Sequence, residues 1–321
     1  MPPISILSLL LPTLLAGHGL SKKSLSLSGS LTAFVVGFLM ISGSTGGPGS
    51  LGLKVWGVSL IGFYLLGSRA TKYGKKKKAT LEAGYHDYGN RSGWQVLSNS
   101  FSAAVACSAW NIFFVPQGVH AWIFGALTAG AIKVPSTIAR TYASDAWCPL
   151  SQNVGDGWSR TLLFAALGHF ACCLGDTLAS ELGILSSSPP RLITTGKTVP
   201  PGTNGGVSVG GTLASFVGGI VMGCMMAACL ILENSACRGS WFAVSRDLIM
   251  WGGLGGIGGS GIDSLLGATI QATRYDDERK LVVEDGGKDK LKLISGWDVL
   301  TNNQVNVVSS VLCAITIGLW A

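Results

Sequence analysis

Long uncharged runs dominate this chain. Eight stretches, at 25–41, 51–67, 96–115, 117–132, 161–185, 207–232, 247–272 and 304–320, are apolar and carry few or no charges, and residues 4–17 add a shorter candidate. A membrane-spanning helix needs about 20 mostly apolar residues, so most of these runs are long enough or nearly so. Only 12% of the 321 residues are charged, about half the share of a soluble domain. The expected fold is therefore an all-α, polytopic transmembrane helix bundle of roughly seven to nine membrane segments, in one integral membrane domain.

What charge there is sits in clusters. The net charge is +7, but the dense basic run is Lys72 with Lys75, Lys76, Lys77 and Lys78, in a loop beside an apolar stretch. Such a juxtamembrane cluster marks the cytoplasmic side and is drawn to anionic headgroups. No basic groove accompanies it, so no nucleic-acid partner is expected. Asn90-Arg91-Ser92 fits the glycosylation pattern but lies in the same loop, and is expected to be cytoplasmic and unmodified. Residues 4–17 lack a positive segment before them and are followed by Lys22 and Lys23, which suits a first anchor rather than a signal peptide. No Arg- and Ser-rich transit peptide is visible, so the endoplasmic reticulum is expected ahead of a chloroplast envelope. The eight cysteines include no CxxC pair and mostly lie in apolar runs, where a thiol is a small hydrophobe. Zinc and structural disulfides are not expected.

The runs divide the chain into N-terminal helices (1–67) with a structural task, a basic polar loop (68–95), a core (96–272), a mixed-charge polar loop (273–300) and a C-terminal helix (301–321). Chemistry concentrates in the core, at 175–211 and 261–271. Asp176 and Glu181 stand in an otherwise apolar helix beside Thr177 and Ser180. A carboxylate in hydrocarbon costs several kcal/mol, about 3 by insertion scales, so it faces a polar interior or binds something. Acids beside hydroxyls suit Mg²⁺, a hard cation that takes oxygen ligands and bridges to phosphates. Asp263 is a third isolated acid. The bland alternative ends the first helix near 175 and leaves both acids in solvent.

Downstream, Lys197 and Thr198 precede Gly202, Thr203, Asn204, Gly205 and Gly206. Lys supplies a point charge for a phosphate, the glycines let backbone N–H groups approach it, and the next helix N-terminus adds its dipole. Walker A spacing is absent. The bland alternative is an ordinary Gly/Pro loop. The sequence GLGGIG at 253–258 matches G-x-G-x-x-G, but no strand precedes it. Gly252, Gly256 and Ser260 recur every fourth residue, as do Gly255 and Gly259, which is the spacing of close helix packing in a membrane. Asn302, Asn306 and Ser309 form a polar stripe that either lines a site or joins helices, and Gln271 is a further polar candidate. His169 reads as a packed or hydrogen-bonded histidine.

Several of these runs carry a resemblance. GDTLASELG at 175–183, PRLITTGK at 190–197 and VPPGTNGGV at 199–207 resemble the family of transmembrane protein 19 and the plant phytyl-phosphate kinase, an integral membrane domain long without assigned function. GSRATK at 67–72, GIDSLLGATIQ at 261–271 and NQVN at 303–306 are similar to it too. The resemblance implies transfer of phosphate from CTP to an isoprenyl monophosphate. A looser likeness to phytol and dolichol kinases aligns Asp176 and Ala179, then Lys197, Gly202 and Thr203.

The expected function is thus a membrane isoprenyl-phosphate kinase. Asp176, Glu181 and Asp263 would hold Mg²⁺, and Lys197, Thr198 and 202–206 would bind the nucleotide phosphates. Gln271, Asn302 and Asn306 would complete the polar lining, and the isoprenoid chain would lie among apolar helices. Phosphoryl transfer needs mostly positioning and charge neutralisation, and an ionised acceptor requires no strong base. The alternatives are a prenol kinase acting on the free alcohol, a lipid transporter or flippase, and a scaffold. Counting every run as a full span puts loops 68–95 and 186–206 on opposite sides of the membrane, whereas one site would need them together.

Overall fold

The computed structural model describes residues 4–43, 52–74, 78, 90–283 and 291–321. Lys75, Lys76 and Lys77 of the basic run, and most of the Gly/Ser turn after residue 43, lie outside the described residues. Eleven helices occur among them: α1 (Ile6–Ser21), α2 (Leu27–Ser42), α3 (Val55–Lys72), α4 (Gly93–Ser98), α5 (Phe101–Phe114), α6 (Val119–Leu127), α7 (Trp158–Gly183), α8 (Val209–Glu233), α9 (Ser235–Gly239), α10 (Trp241–Ile270) and α11 (Asn302–Trp320). Their starts are chemically marked. Ser5, Ser26 and Ser208 accept from backbone N–H groups at the starts of α1, α2 and α8. Ser92 with Gln95 and Thr301 with Gln304 form reciprocal capping boxes at α4 and α11, satisfying donors a helix start otherwise leaves orphaned.

Three helices, α7, α8 and α11, are long and apolar enough to cross a membrane, and α1, α2 and α5 are shorter apolar helices. The 30 residues of α10 would extend about 45 Å. Helices α7, α8, α10 and α11 pack against one another as the centre, with α1–α3 and α4–α6 around them.

The direction of each helix follows from what meets at its ends. At one end, which carries the basic run, Lys78 pairs with Glu181, Leu25 bridges to Arg91 and the Asn204 N–H donates to Thr273. At the opposite end the Lys54 N–H donates to Glu233, Tyr142 N–H to the Phe114 carbonyl, and Arg160 to the Ala321 carbonyl. Helix α5 finishes and α7 begins at this second end. The run at 117–132 folds only as α6, nine residues long and so about 14 Å, too short to return across a bilayer. Lys78 and residues 90–92 therefore share one end with the 184–208 loop, which resolves the conflict in the span count.

Two expectations need correction. The fold is not purely α: β1 (Arg191–Leu192) pairs antiparallel with β2 (Gly206–Val207), and β3 (Thr273–Asp276), β4 (Leu281–Val283) and β5 (Lys292–Ser295) form an antiparallel sheet in the order β4-β3-β5. The 273–300 segment leaves the bundle at its basic end, where charged side chains reach water and backbone groups pair across strands. Second, Cys148 and Cys237 form a disulfide across 89 residues. The loops before α7 and around α9 meet at the end opposite the basic run, a juxtaposition that linear spacing does not show.

Glycines fix the centre. Gly256 of α10 faces α8, where a Cβ would stand 3.0 Å from the Cα of Gly219, and a Cβ on Gly175 of α7 would stand 2.9 Å from the Cα of Gly256. Gly255 and Gly259 face Ala171 and Cys172 of α7. The G-x-G-x-x-G match is thus a packing surface where three helices touch backbone to backbone. His169 is buried, with Ser102 2.6 Å from its Nδ1.

Candidate functional site

The glycine junction sets the first functional side chains. Gly175 precedes Asp176 on α7, and Ser260 and Asp263 follow Gly256 and Gly259 on α10 within about two turns. Helix α7 continues to Gly183, so the solvated-acid alternative fails. Asp176 and Asp263 line one cavity of about 750 Å³. Ser260 Oγ donates to Asp176 Oδ1 at 3.4 Å, and Ser309 Oγ to Asp263 Oδ2 at 2.9 Å. With its amide nitrogen turned to the carboxylate, Asn306 also donates to Asp263 Oδ2 at 3.2 Å. Gln271 Nε2 lies 3.5 Å from Asn302 Oδ1. The polar stripe of α11 therefore lines the site: Asn302 and Asn306 face the cavity, and Ser309 holds an acid.

Over this pair folds the Gly-rich loop. Gly202, Thr203, Asn204, Gly205 and Gly206 all line the cavity. Gly202 and Gly205 have φ of +86° and +75°, a region that L side chains avoid. A Cβ on Gly205 would lie 2.5 Å from Ala268 Cβ, so this loop rests directly on the helix of Asp263. Thr203 Oγ1 donates to the Pro200 carbonyl at 2.7 Å, and the Ile193 N–H donates to the Gly205 carbonyl at 3.0 Å. The β1–β2 pairing thus anchors the loop, and the capped start of α8 follows it, with Ser208 and Gly211 on the cavity wall.

Lys197 and Thr198 are not brought to the cavity. Both are exposed, in a tight turn just after β1, where Gly196 has φ +68°. The Leu192 N–H donates to the Lys197 carbonyl at 2.9 Å and Thr198 bridges to Arg191. This closes the turn on itself, away from the acids.

Two other cations line the cavity instead: Lys78 and Arg91. Lys78 is only 1% exposed, donates to the Ala70 carbonyl at 3.0 Å, and meets Glu181 at 2.5 Å. Arg91 Nη1 donates to Ser68 Oγ at 3.1 Å and Nη2 reaches Thr71 Oγ1 at 3.5 Å. Burial lowers the Arg91 guanidinium from its ordinary value, against the opposing pull of Tyr64 and Glu181. In the linear reading Lys78 is one of a basic run serving topology, and nothing local distinguishes it from its neighbours. Arg91 does carry a signal: it is an isolated cation immediately before a capping box and an apolar helix.

Glu181 belongs to the Lys78 pair rather than to the acid pair. It stands five residues beyond Asp176, about 7.5 Å along the helix. Among the described residues, no group of three or more His, Cys, Asp or Glu side chains gathers as a metal cage. Two carboxylates with flanking side-chain oxygens match the sparse ligand set of Mg²⁺, which usually keeps waters and substrate phosphates in its other positions. An apolar part of the cavity wall comes from α1–α3, through Pro12, Leu15, Val36, Ile41, Leu60 and Phe63. The N-terminal helices thus contribute to the cavity wall.

Over residues 10–314 the chain matches the family described as integral membrane protein DUF92. It belongs to that family. Protein PGR of Arabidopsis thaliana is 33% identical over 307 residues, covering 96% of this chain and 92% of the plant protein. An uncharacterized membrane protein of Methanocaldococcus jannaschii is 34% identical over 117 residues, 36% of this chain and 42% of its own. Another from Synechocystis is 25% identical over 267 residues, 70% of this chain and 90% of its own. No solved structure matches.

Proposed function

We propose that this DUF92 protein is a membrane lipid-phosphate kinase, passing a phosphoryl group from a nucleotide to an isoprenyl monophosphate. The observation that carries the proposal is the double character of one cavity. Asp176, Asp263 and the 202–206 loop line it together with an apolar wall from α1–α3, against which a hydrocarbon chain would lie. A nucleotide's phosphates would lie under the 202–206 backbone, near the start of α8, where N–H groups and the helix dipole favour anions. Asp176 and Asp263 would hold Mg²⁺, which when bound neutralises the charge on the transferring phosphoryl group. Ser260, Ser309 and Asn306 fix the two carboxylates.

In the transfer, a phosphate oxygen of the acceptor forms a new P–O bond to the terminal phosphorus, and the bond to the departing nucleoside diphosphate breaks. A phosphate monoester is already ionised, so no proton need be taken up. Lys197 has no place in this arrangement. CTP is the donor that the family resemblance implies, and the endoplasmic reticulum the expected membrane.

The test is direct. Protein in nanodiscs is incubated with Mg²⁺, CTP or ATP, and geranylgeranyl or phytyl monophosphate. The expected product is the diphosphate. Asp176→Asn, which keeps size but removes charge, should slow its formation by about 10²- to 10³-fold, the usual effect of losing one electrostatic contact. Failure of every donor to give diphosphate with folded protein would remove the kinase assignment.

A further inference from the structure

The roles proposed for the acid pair and the Gly-rich loop leave Arg91, which lines the same cavity, without one. A guanidinium offers five N–H donors. Arg91 directs them at two uncharged hydroxyls, Ser68 and Thr71. Among the described residues it joins no ion pair; Glu181, the acid across the same wall, is taken by Lys78. A half-buried cation that forms no ion pair among the described residues is costly in a low-dielectric site, and an anion supplied from outside would offset that cost.

Its position is held firmly. The Arg91 N–H donates to the Ser24 carbonyl and its own carbonyl accepts from the Ser26 N–H, both at 3.0 Å. The capping box that follows fixes the chain direction. Leu25 and Tyr64 of the α1–α3 side line the same cavity as Arg91, Leu25 bridging to its backbone.

We infer that Arg91, oriented by Ser68 and Thr71, is the seat for the phosphate head of an amphiphile whose chain lies against α1–α3. As a statement about catalysis this rests on the kinase reading above; as a statement about binding it is measured separately. A planar fork suits the two oxygens of a phosphate monoester, whereas a lysine offers only a point charge. Lys78 is then a positioning residue that keeps Glu181 from neutralising Arg91.

Binding of geranylgeranyl monophosphate, geranylgeraniol, inorganic phosphate and CTP is measured on full-length protein in phosphatidylcholine nanodiscs. Arg91→Gln is expected to weaken the monophosphate about 10- to 100-fold, the usual size of a lost charge-assisted hydrogen bond, and to leave geranylgeraniol and CTP unchanged. Inorganic phosphate alone should bind far more weakly than the monophosphate, because the apolar wall contributes; equal affinity would overturn the amphiphile assignment. Equal losses for the alcohol and the monophosphate would make Arg91 a structural residue and overturn the seat. If Arg91→Gln does not fold, Arg91→Lys carries the test: the monophosphate should weaken while the alcohol does not, and unchanged monophosphate affinity overturns the inference. Arg91-dependent binding without any transfer would sink the kinase reading and leave the seat standing. Transfer by Arg91→Gln at unaltered KM would do the reverse.

Discussion

Gly205→Ala isolates the contact that places the Gly-rich 202–206 loop on the helix of Asp263. Two costs add. At φ +75° the new side chain enters the left-handed region, which costs about 1–2 kcal/mol. Its Cβ would also fall 2.5 Å from both the Ala268 Cβ and the Ser264 carbonyl oxygen. Neither is the tip of a flexible chain, so the loop or α10 must move, and overpacking of this kind costs about 1–3 kcal/mol. The expected destabilisation is about 2–5 kcal/mol in total. Gly196→Ala is the matched control. It carries a similar φ of +68° but would meet nothing within 4 Å, so only the conformational cost of about 1–2 kcal/mol applies. Unfolding of both variants in mixed detergent micelles gives the difference, and the transfer assay should show Gly205→Ala impaired far more than Gly196→Ala. Equal stability losses would refute the claim that the loop is seated by close approach to α10.

Two further outcomes are expected. Gly256→Leu should prevent assembly of α7, α8 and α10, because a Cβ there already crowds Gly219; a folded variant that loses only nucleotide affinity would show the packing account to be wrong. The Cys148–Cys237 disulfide belongs to an oxidising compartment, so alkylation with a membrane-impermeant maleimide in sealed microsomes should label Cys148 and Cys237 only after reduction and from the lumenal side, while Asn90, at the opposite end, stays unglycosylated; glycosylated Asn90 would invert the topology.

How much of this was written in the linear chain can be argued residue by residue. Uncharged runs identify helices because hydrocarbon leaves the backbone no other partner than itself, and α7, α8, α10 and α11 fall within a few residues of the runs that mark them. The small-residue spacing of 252–260 announced packing because periodicity alone puts those residues on shared faces. Asp176 and Asp263 were conspicuous because an isolated acid in an apolar run demands a reason. The glycines of 202–206 were legible as a loop built for close approach.

What the chain could not reveal were relations between distant segments. Nine residues of α6 and sixteen of α2 are both apolar, and only the partners at each helix end, Arg91 at Ser26 and Asn111 at Gly43, show that α2 runs between the two ends of the bundle and α6 does not. That decision brings Lys78 and Arg91 to the end that carries the 184–208 loop. Lys197, adjacent in sequence to the Gly-rich loop, is left exposed in a turn closed by the Leu192 N–H to its carbonyl and by the Arg191–Thr198 bridge. Arg91, some hundred residues away in sequence, is placed on the cavity wall by its bridge to Leu25. Local composition specifies which segments tolerate lipid and which need polar company. Which cation meets which carboxylate depends on helix direction and packing, which are set by contacts among residues far apart in the chain.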